Sequence, residues 1–234
     1  MSASHFRAAD NLDNKKHLLL CASGSVATIK IPLILQALSN YENLSICVIL
    51  TKSAISFLSS NTPGNSSVEQ ILGIRNVNRI FHDNSEWEHP WQPENGVLHI
   101  ELRRWAHLMV IAPLSANTLA KIVGGLADNL MTSVIRAWDT TGKIDGGDSC
   151  KRIIVAPAMN TAMWNHPITA KQIKVLEIEW GIVDGNSTTN EGTTHGWFEV
   201  LRPMEKILAC GDVGIGAMRS WEEIVVIIEQ RLGL

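Results

Sequence analysis

Four short runs of uninterrupted apolar residues constrain what this chain can fold into: Leu18 to Ala22, Ile46 to Leu50, Leu108 to Ala112 and Ile153 to Ala156. A strand with one face in water alternates apolar and polar residues, whereas a strand covered on both faces is apolar throughout. The runs therefore predict inner strands of a parallel sheet. Helical patterns lie between them. Ile31, Ile34, Leu35 and Leu38 share a face within 29–38, the stretches 118–123 and 130–137 are similarly helical, and Ile224, Ile227 and Ile228 share a face within 221–232. Strand and helix alternate, which predicts one three-layer, doubly wound α/β domain.

At 234 residues and 45% hydrophobic content the chain is long enough to bury a full core. Its net charge of −3 and 18% charged residues provide no basic stripe of the kind a phosphate backbone attracts, so nucleic acid is a poor candidate partner. No apolar run is long enough to span a bilayer, and Met1 to Lys16 has no signal-peptide core, so the protein reads as cytoplasmic and free of disulfides. Cys21, Cys47, Cys150 and Cys210 have no paired spacing and the histidines are scattered, which gives no metal motif. Residues 1–15 read as a flexible segment ahead of a domain covering 16–234. Three stretches, 59–96, 140–149 and 185–194, break the strand and helix rhythm and read as lids, interface arms or disordered insertions.

The strand ends carry the candidate ligand groups. After the first run comes Ala22-Ser23-Gly24-Ser25-Val26-Ala27, where small residues and the Ser23 and Ser25 hydroxyls could approach a phosphate at a helix start. It is neither GxGxxG nor a Walker loop, and an ordinary tight turn explains it equally well. The second run leads to Thr51-Lys52-Ser53 and the third to Pro113-Leu114-Ser115-Ala116-Asn117-Thr118. Together they suggest a ligand edge of neutral hydrogen-bonding groups suited to a nucleotide-like or flavin cofactor. Helix capping accounts for any one of them alone.

Three further residues are candidates for chemistry. Asn160, in Pro157-Ala158-Met159-Asn160-Thr161-Ala162-Met163-Trp164, is an amide just past the fourth run with apolar neighbours, placed to grip a small polar group. His99, in Val97-Leu98-His99-Ile100-Glu101-Leu102-Arg103-Arg104-Trp105, stands ahead of an expected helix and is suited to acid–base work, although a surface role is the commoner one. Cys210 opens the glycine-rich stretch Cys210-Gly211-Asp212-Val213-Gly214-Ile215-Gly216, a pliable loop that could close over a ligand. Cys21 and Cys47, inside apolar runs, read as buried packing residues.

Six segments in one order resemble the flavin-containing cysteine decarboxylases, and among them the phosphopantothenoylcysteine decarboxylases: ASGSVA at 22–27, TKSAISFL at 51–58, VLHIELRRWA at 97–106, APLSANTLAKIVGGLADNL at 112–130, APAMNTAMW at 156–164 and LACGDVGIGAM at 208–218. The resemblance implies a flavodoxin-like fold, bound FMN, and a homotrimer with sites between subunits. It implies decarboxylation of 4′-phosphopantothenoylcysteine to 4′-phosphopantetheine in coenzyme A biosynthesis. Carried over by segment, the catalytic residues are His99, Asn160 and Cys210. The cofactor residues are Gly24, Ser25, Val26, Thr51, Ser53, Phe57, Ser115, Ala116, Asn117, Thr118 and Ala158. Asn160, Met163, Lys206, Leu208, Ala209 and Met218 would meet the substrate.

A cysteine carboxylate has no electron sink beside the bond that must break, so a cofactor has to supply one. In the family's chemistry the flavin first oxidises the cysteinyl carbon that bears sulfur, CO₂ then leaves, and the ene-thiolate is protonated and reduced. Asn160 would orient the carboxylate, His99 would assist at the thiol, and Cys210 would return a proton. The chain departs from many relatives at Gly216-Ala217-Met218-Arg219-Ser220-Trp221, where they read GAMAEP, and at Ile207, where plant relatives carry a basic residue that Lys206 could replace. The insertions at 140–150 and 185–203 resemble fungal members. A second reading is a regulatory subunit of a Ser/Thr protein phosphatase, or a member of a mixed trimer. The presence of His99, Asn160 and Cys210 in one chain, and the lack of an acidic run before Leu234, favour the enzyme.

Overall fold

A computed structural model describes residues 6–11, 13–59, 67–88, 92, 96–145, 151–182, 196–207 and 213–234. The chain forms β1 (Lys16–Ala22), α1 (Ile31–Leu38), β2 (Leu44–Leu50), α2 (Lys52–Leu58), α3 (Val68–Leu72), β3 (Val77–His82), α4 (Leu98–Trp105), β4 (Leu108–Leu114) and α5 (Ala116–Gly124). It continues through α6 (Leu130–Arg136), β5 (Arg152–Pro157), α7 (Thr161–Trp164), α8 (Pro167–Lys174), β6 (Phe198–Val200), β7 (Met204–Ile207), β8 (Val213–Ala217) and α9 (Trp221–Leu232). Strands β1 to β6 make one parallel sheet in the order β3-β2-β1-β4-β5-β6, and β7 pairs antiparallel with β8 outside it.

Successive side chains of a strand point to opposite faces, and here both faces are covered. Leu18, Leu20 and Ala22 of β1, with Val48 and Leu50 of β2 and Val110 of β4, enter a core closed by α1, α2, α3 and α9. Leu19 and Cys21, with Cys47, Ile49, Met109, Ile111 and Val155, enter a second core closed by α4, α5, α6 and α8. Two cores around one sheet explain why the four runs lack polar residues. Truncating a fully buried residue such as Leu20 to Ala would cost about 2–5 kcal/mol. The architecture is the expected flavodoxin-like, doubly wound α/β/α domain.

The topology also makes a crevice. The helix after β1 packs into the first core and the helix after β4 into the second, so the connections diverge where β1 and β4 lie side by side. Doubly wound sheets bind ligands at such a reversal, beyond the C-terminal strand ends.

Several expectations change. Stretch 59–96 is not one long loop: it contains α3, strand β3 and a 3₁₀ turn over Asp83–Trp87. Strand β3 escapes the apolar rule because it is an edge strand that interposes Asn78 and Arg79 between Val77 and Ile80. Residues 6–11 are not a loose tail, because Phe6 is buried with its ring edge-on to Phe81 and Trp105 at 5.5 and 5.9 Å, and the Ala8 N–H donates to Glu101. Within 140–149 the part up to Asp145 is tied down by Asp139, whose carboxylate accepts the N–H groups of Thr141, Gly142, Ile144 and Asp145. Stretch 185–194 lies outside the described residues. Among the described residues no helix is long and apolar enough to cross a membrane.

Candidate active site

Ser23, at the end of β1, is fully buried and its hydroxyl is consumed by the scaffold. Its Oγ donates to the Pro113 carbonyl at 3.0 Å and accepts the Ser115 N–H at 2.8 Å, while its own N–H also donates to Pro113 at 3.0 Å. The phosphate role considered for this hydroxyl therefore falls away. What Ser23 does is lock the two diverging strand ends together.

Gly24 follows, and a Cβ there would sit 2.5 Å from the Cβ of Ser53. Only glycine lets the turn after β1 approach the first turn of α2 this closely. Ser25 opens the next 3₁₀ turn in an extended conformation and makes no capping hydrogen bond with its side chain, and Val26 is 44% exposed. A hydroxyl that makes no cap, beside an exposed apolar residue, suits a ligand better than it suits a folded turn.

Other strand-end residues have structural duties. Thr51 caps α2 by accepting the Ala54 N–H at 3.3 Å, and Ser115 caps α5 by accepting that of Thr118, also at 3.3 Å. Thr118 is buried while Asn117 is exposed and Ala116 half-buried, so of this group Asn117 is the most open to a ligand. Ser53 is exposed and Phe57 half-buried on α2.

Asn160 is the N-cap of α7, and its Oδ1 accepts the Met163 N–H at 2.8 Å. The cap fixes the amide with Nδ2 making no hydrogen bond among the described residues. Asn160 lines a cleft of about 610 Å³ with Ser25, Val26, Ala158 and Met218, all expected at the site, and with Lys30 and Arg219. Met163 is half exposed and meets Asn160 through its backbone. The hairpin of β7 and β8 forms the cleft's other wall: the Gly216 carbonyl accepts the Met159 N–H at 3.0 Å. Gly216 has φ +151°, and a Cβ there would run into the Met159 carbonyl. Cys210, Leu208 and Ala209 lie outside the described residues, as does the side chain of Lys206.

His99 is inside the first turn of α4, not ahead of the helix, and it lines a different cavity of about 550 Å³ with Glu86, Trp87, Asp128, Asn129 and Arg136. The two cavities share no lining residue. One chain thus brings Ser25, Val26 and Ala158 into a cleft with Asn160, but not His99. Glu86 escaped sequence reasoning: both its oxygens lie 3.0–3.1 Å from His99 Nδ1, across thirteen residues and an unrecognised 3₁₀ turn. No periodic signal links such a pair.

Cys21 and Cys47 are buried as expected. Loss of hydration raises the Cys21 thiol well above its ordinary range and pushes Cys47 up to about 12, so neither is a nucleophile.

A doubly wound sheet with an exposed apolar and hydroxyl rim just past β1, at Ser25 and Val26, and a capped amide in the same cleft, defines a protein of the nucleotide- or flavin-binding α/β class. The comparisons with known proteins are more specific. The chain belongs to the flavoprotein family, which matches residues 7–233. It is 39% identical to a putative phosphopantothenoylcysteine decarboxylase of Dictyostelium discoideum, with 91% of each chain covered. Among solved structures it is similar to a PPC decarboxylase mutant complexed with pantothenoylaminoethenethiol, at 38% identity and TM-score 0.71, covering 92% of this chain and 97% of that one. It is also similar to the FMN-binding protein AtHal3, at 39% identity and TM-score 0.68, covering 92% and 96%. The chain spans only 30% and 34% of two longer relatives from Schizosaccharomyces pombe and Saccharomyces cerevisiae.

Proposed function

We propose that the chain binds FMN at the β1 and β4 reversal and decarboxylates 4′-phosphopantothenoylcysteine to 4′-phosphopantetheine. The observation that carries this reading is Asn160: a neutral amide whose carbonyl is spent on the Met163 cap, leaving an Nδ2 donor in the cleft that Ser25, Val26 and Ala158 line. The rim fits a flat, partly apolar cofactor. Gly24 removes the Cβ that would block close approach, Ser25 has a hydroxyl to offer, and Val26 presents apolar surface. When bound, FMN supplies the electron sink that a cysteine carboxylate lacks.

The protein's part is orientation and proton handling. Asn160 Nδ2 donates to the substrate carboxylate and aims its C–C bond. A lysine or arginine there would stabilise the carboxylate that must be lost, and so deepen the ground state relative to the transition state. His99 takes the thiol proton or steadies the charge that develops on sulfur. Cys210, by its place in the family segment, returns a proton to the ene-thiolate.

His99 and Asn160 line separate cavities, which supports a homotrimer whose sites pair His99 of one subunit with Asn160 of the next. A cytoplasmic location agrees with the substrate, and is proposed with it. Incubation of the purified protein with 4′-phosphopantothenoylcysteine, followed by mass spectrometry, tests the reading. A yellow protein that releases CO₂ and forms 4′-phosphopantetheine is expected. A colourless protein that takes up no FMN, or a flavin-loaded one that leaves the substrate intact, overturns it.

A further inference from the structure

We propose that Glu86 is a positioning residue that holds the His99 ring as its Nδ1–H tautomer and so keeps Nε2 as the proton-accepting atom. The inference rests on the role assigned to His99 above. Both Glu86 oxygens approach Nδ1, at 3.0 and 3.1 Å. An ionised carboxylate can only accept, so the proton of this contact sits on Nδ1 and the lone pair stays on Nε2. Nε2 makes no hydrogen bond among the described residues, and the ring lines the cavity of about 550 Å³.

Burial makes the contact more than a surface pair. The Glu86 side chain is 7% exposed and that of His99 28%. A carboxylate so far withdrawn from water needs a donor, and among the described residues the imidazole is the one that reaches it. The turn that carries Glu86 is fixed independently of His99: the His82 N–H donates to Ser85 Oγ at 3.0 Å, and the Lys52 N–H donates to Asp83 at 3.2 Å. The carboxylate is therefore placed by the scaffold and the ring is oriented against it.

In the step this serves, the S–H bond of the substrate breaks, an N–H bond forms at Nε2, and a thiolate faces an imidazolium. The carboxylate stabilises that imidazolium through the ring, and the burial of Glu86 limits how far water screens the attraction.

The test uses ¹⁵N-histidine-labelled, flavin-loaded protein, with the His99 signals assigned by their loss in His99→Asn. Wild type should show a protonated Nδ1 and a bare Nε2. In Glu86→Gln the amide can donate as well as accept, so the Nε2–H form should appear and kcat should fall about 10²-fold at little-changed KM. Glu86→Asp, which keeps the charge, should recover part of kcat. A wild-type ring protonated on Nε2 overturns the proposal even if no variant folds. So does a Glu86→Gln protein with wild-type kcat. Wild-type protein that forms no product sinks the decarboxylase reading instead, and leaves the tautomer result standing.

Discussion

The side-chain carbonyl of Asn160 accepts the backbone N–H of Met163 at 2.8 Å, so one half of the amide caps α7 and the other half is left for the cleft. Helix capping and ligand gripping are thus two ends of one side chain, and substitutions can separate them. Asn160→Asp keeps a capping oxygen, so its melting temperature should stay within a degree or two of wild type, while a second carboxylate beside that of the substrate should abolish turnover. Asn160→Ala should lose about 1 kcal/mol of stability as well as activity. Thermal melts and product assays on both variants check this. Near-wild-type turnover by Asn160→Asp would remove Asn160 from the site.

His99 and Asn160 line separate cavities of one chain, which makes a statement about assembly. If sites form between subunits, His99→Asn and Asn160→Ala should each be inactive alone, yet regain activity when co-expressed. Random mixing would restore about a quarter of the sites. Activity that stays at background in a co-purified mixture would show that both residues must come from the same chain.

How legible these features were depended on how local their cause is. The inner strands could be read because burial on both faces forces every residue of Leu18 to Ala22 to be apolar, and no partner need be known. Among the described residues β3 is an edge strand, and β6 has only three residues, so neither produces a run. The Asn160 segment was legible as a motif, but its cap depends on α7, a single turn too short for periodicity. Ser23 looked like Ser25 in the sequence. One hydroxyl is consumed by Pro113 and Ser115 from a strand ninety residues away, while the other makes no cap, and only the folded β1 and β4 pairing distinguishes them.

Gly216 joins the β7 and β8 hairpin to the cleft and should resist substitution. Its φ of +151° disfavours any side chain, and an added Cβ would meet the Met159 carbonyl, breaking the contact that seats the hairpin beside Asn160. Gly216→Ala should cost roughly 1–3 kcal/mol and lower kcat more than the loss of folded protein explains. Ala217→Gly, one residue on, is the control for added flexibility alone. Equal kcat for Gly216→Ala and wild type at a temperature where both are folded would show that the hairpin's seat does not matter to turnover.

Asp139 supplies a pH dependence separate from the chemistry. Burial by itself would raise its carboxyl, but hydrogen bonds from Thr141, Asp145 and Ile144 more than offset this and hold it at about 2, against an ordinary 3.8. Because the folded value is the lower one, the stabilisation is fully present above the unfolded value and is lost as pH falls through the folded one. The difference corresponds to about 2 kcal/mol, present at pH 5 and above and fading between about pH 4 and 2. Asp139→Asn keeps one acceptor oxygen but no charge, so it should be less stable than wild type at pH 7 and converge with it at pH 2. Urea midpoints for both proteins across that range give the measurement. A stability gap that is the same at pH 7 and pH 2 would mean that the carboxylate's charge contributes nothing to holding residues 141–145.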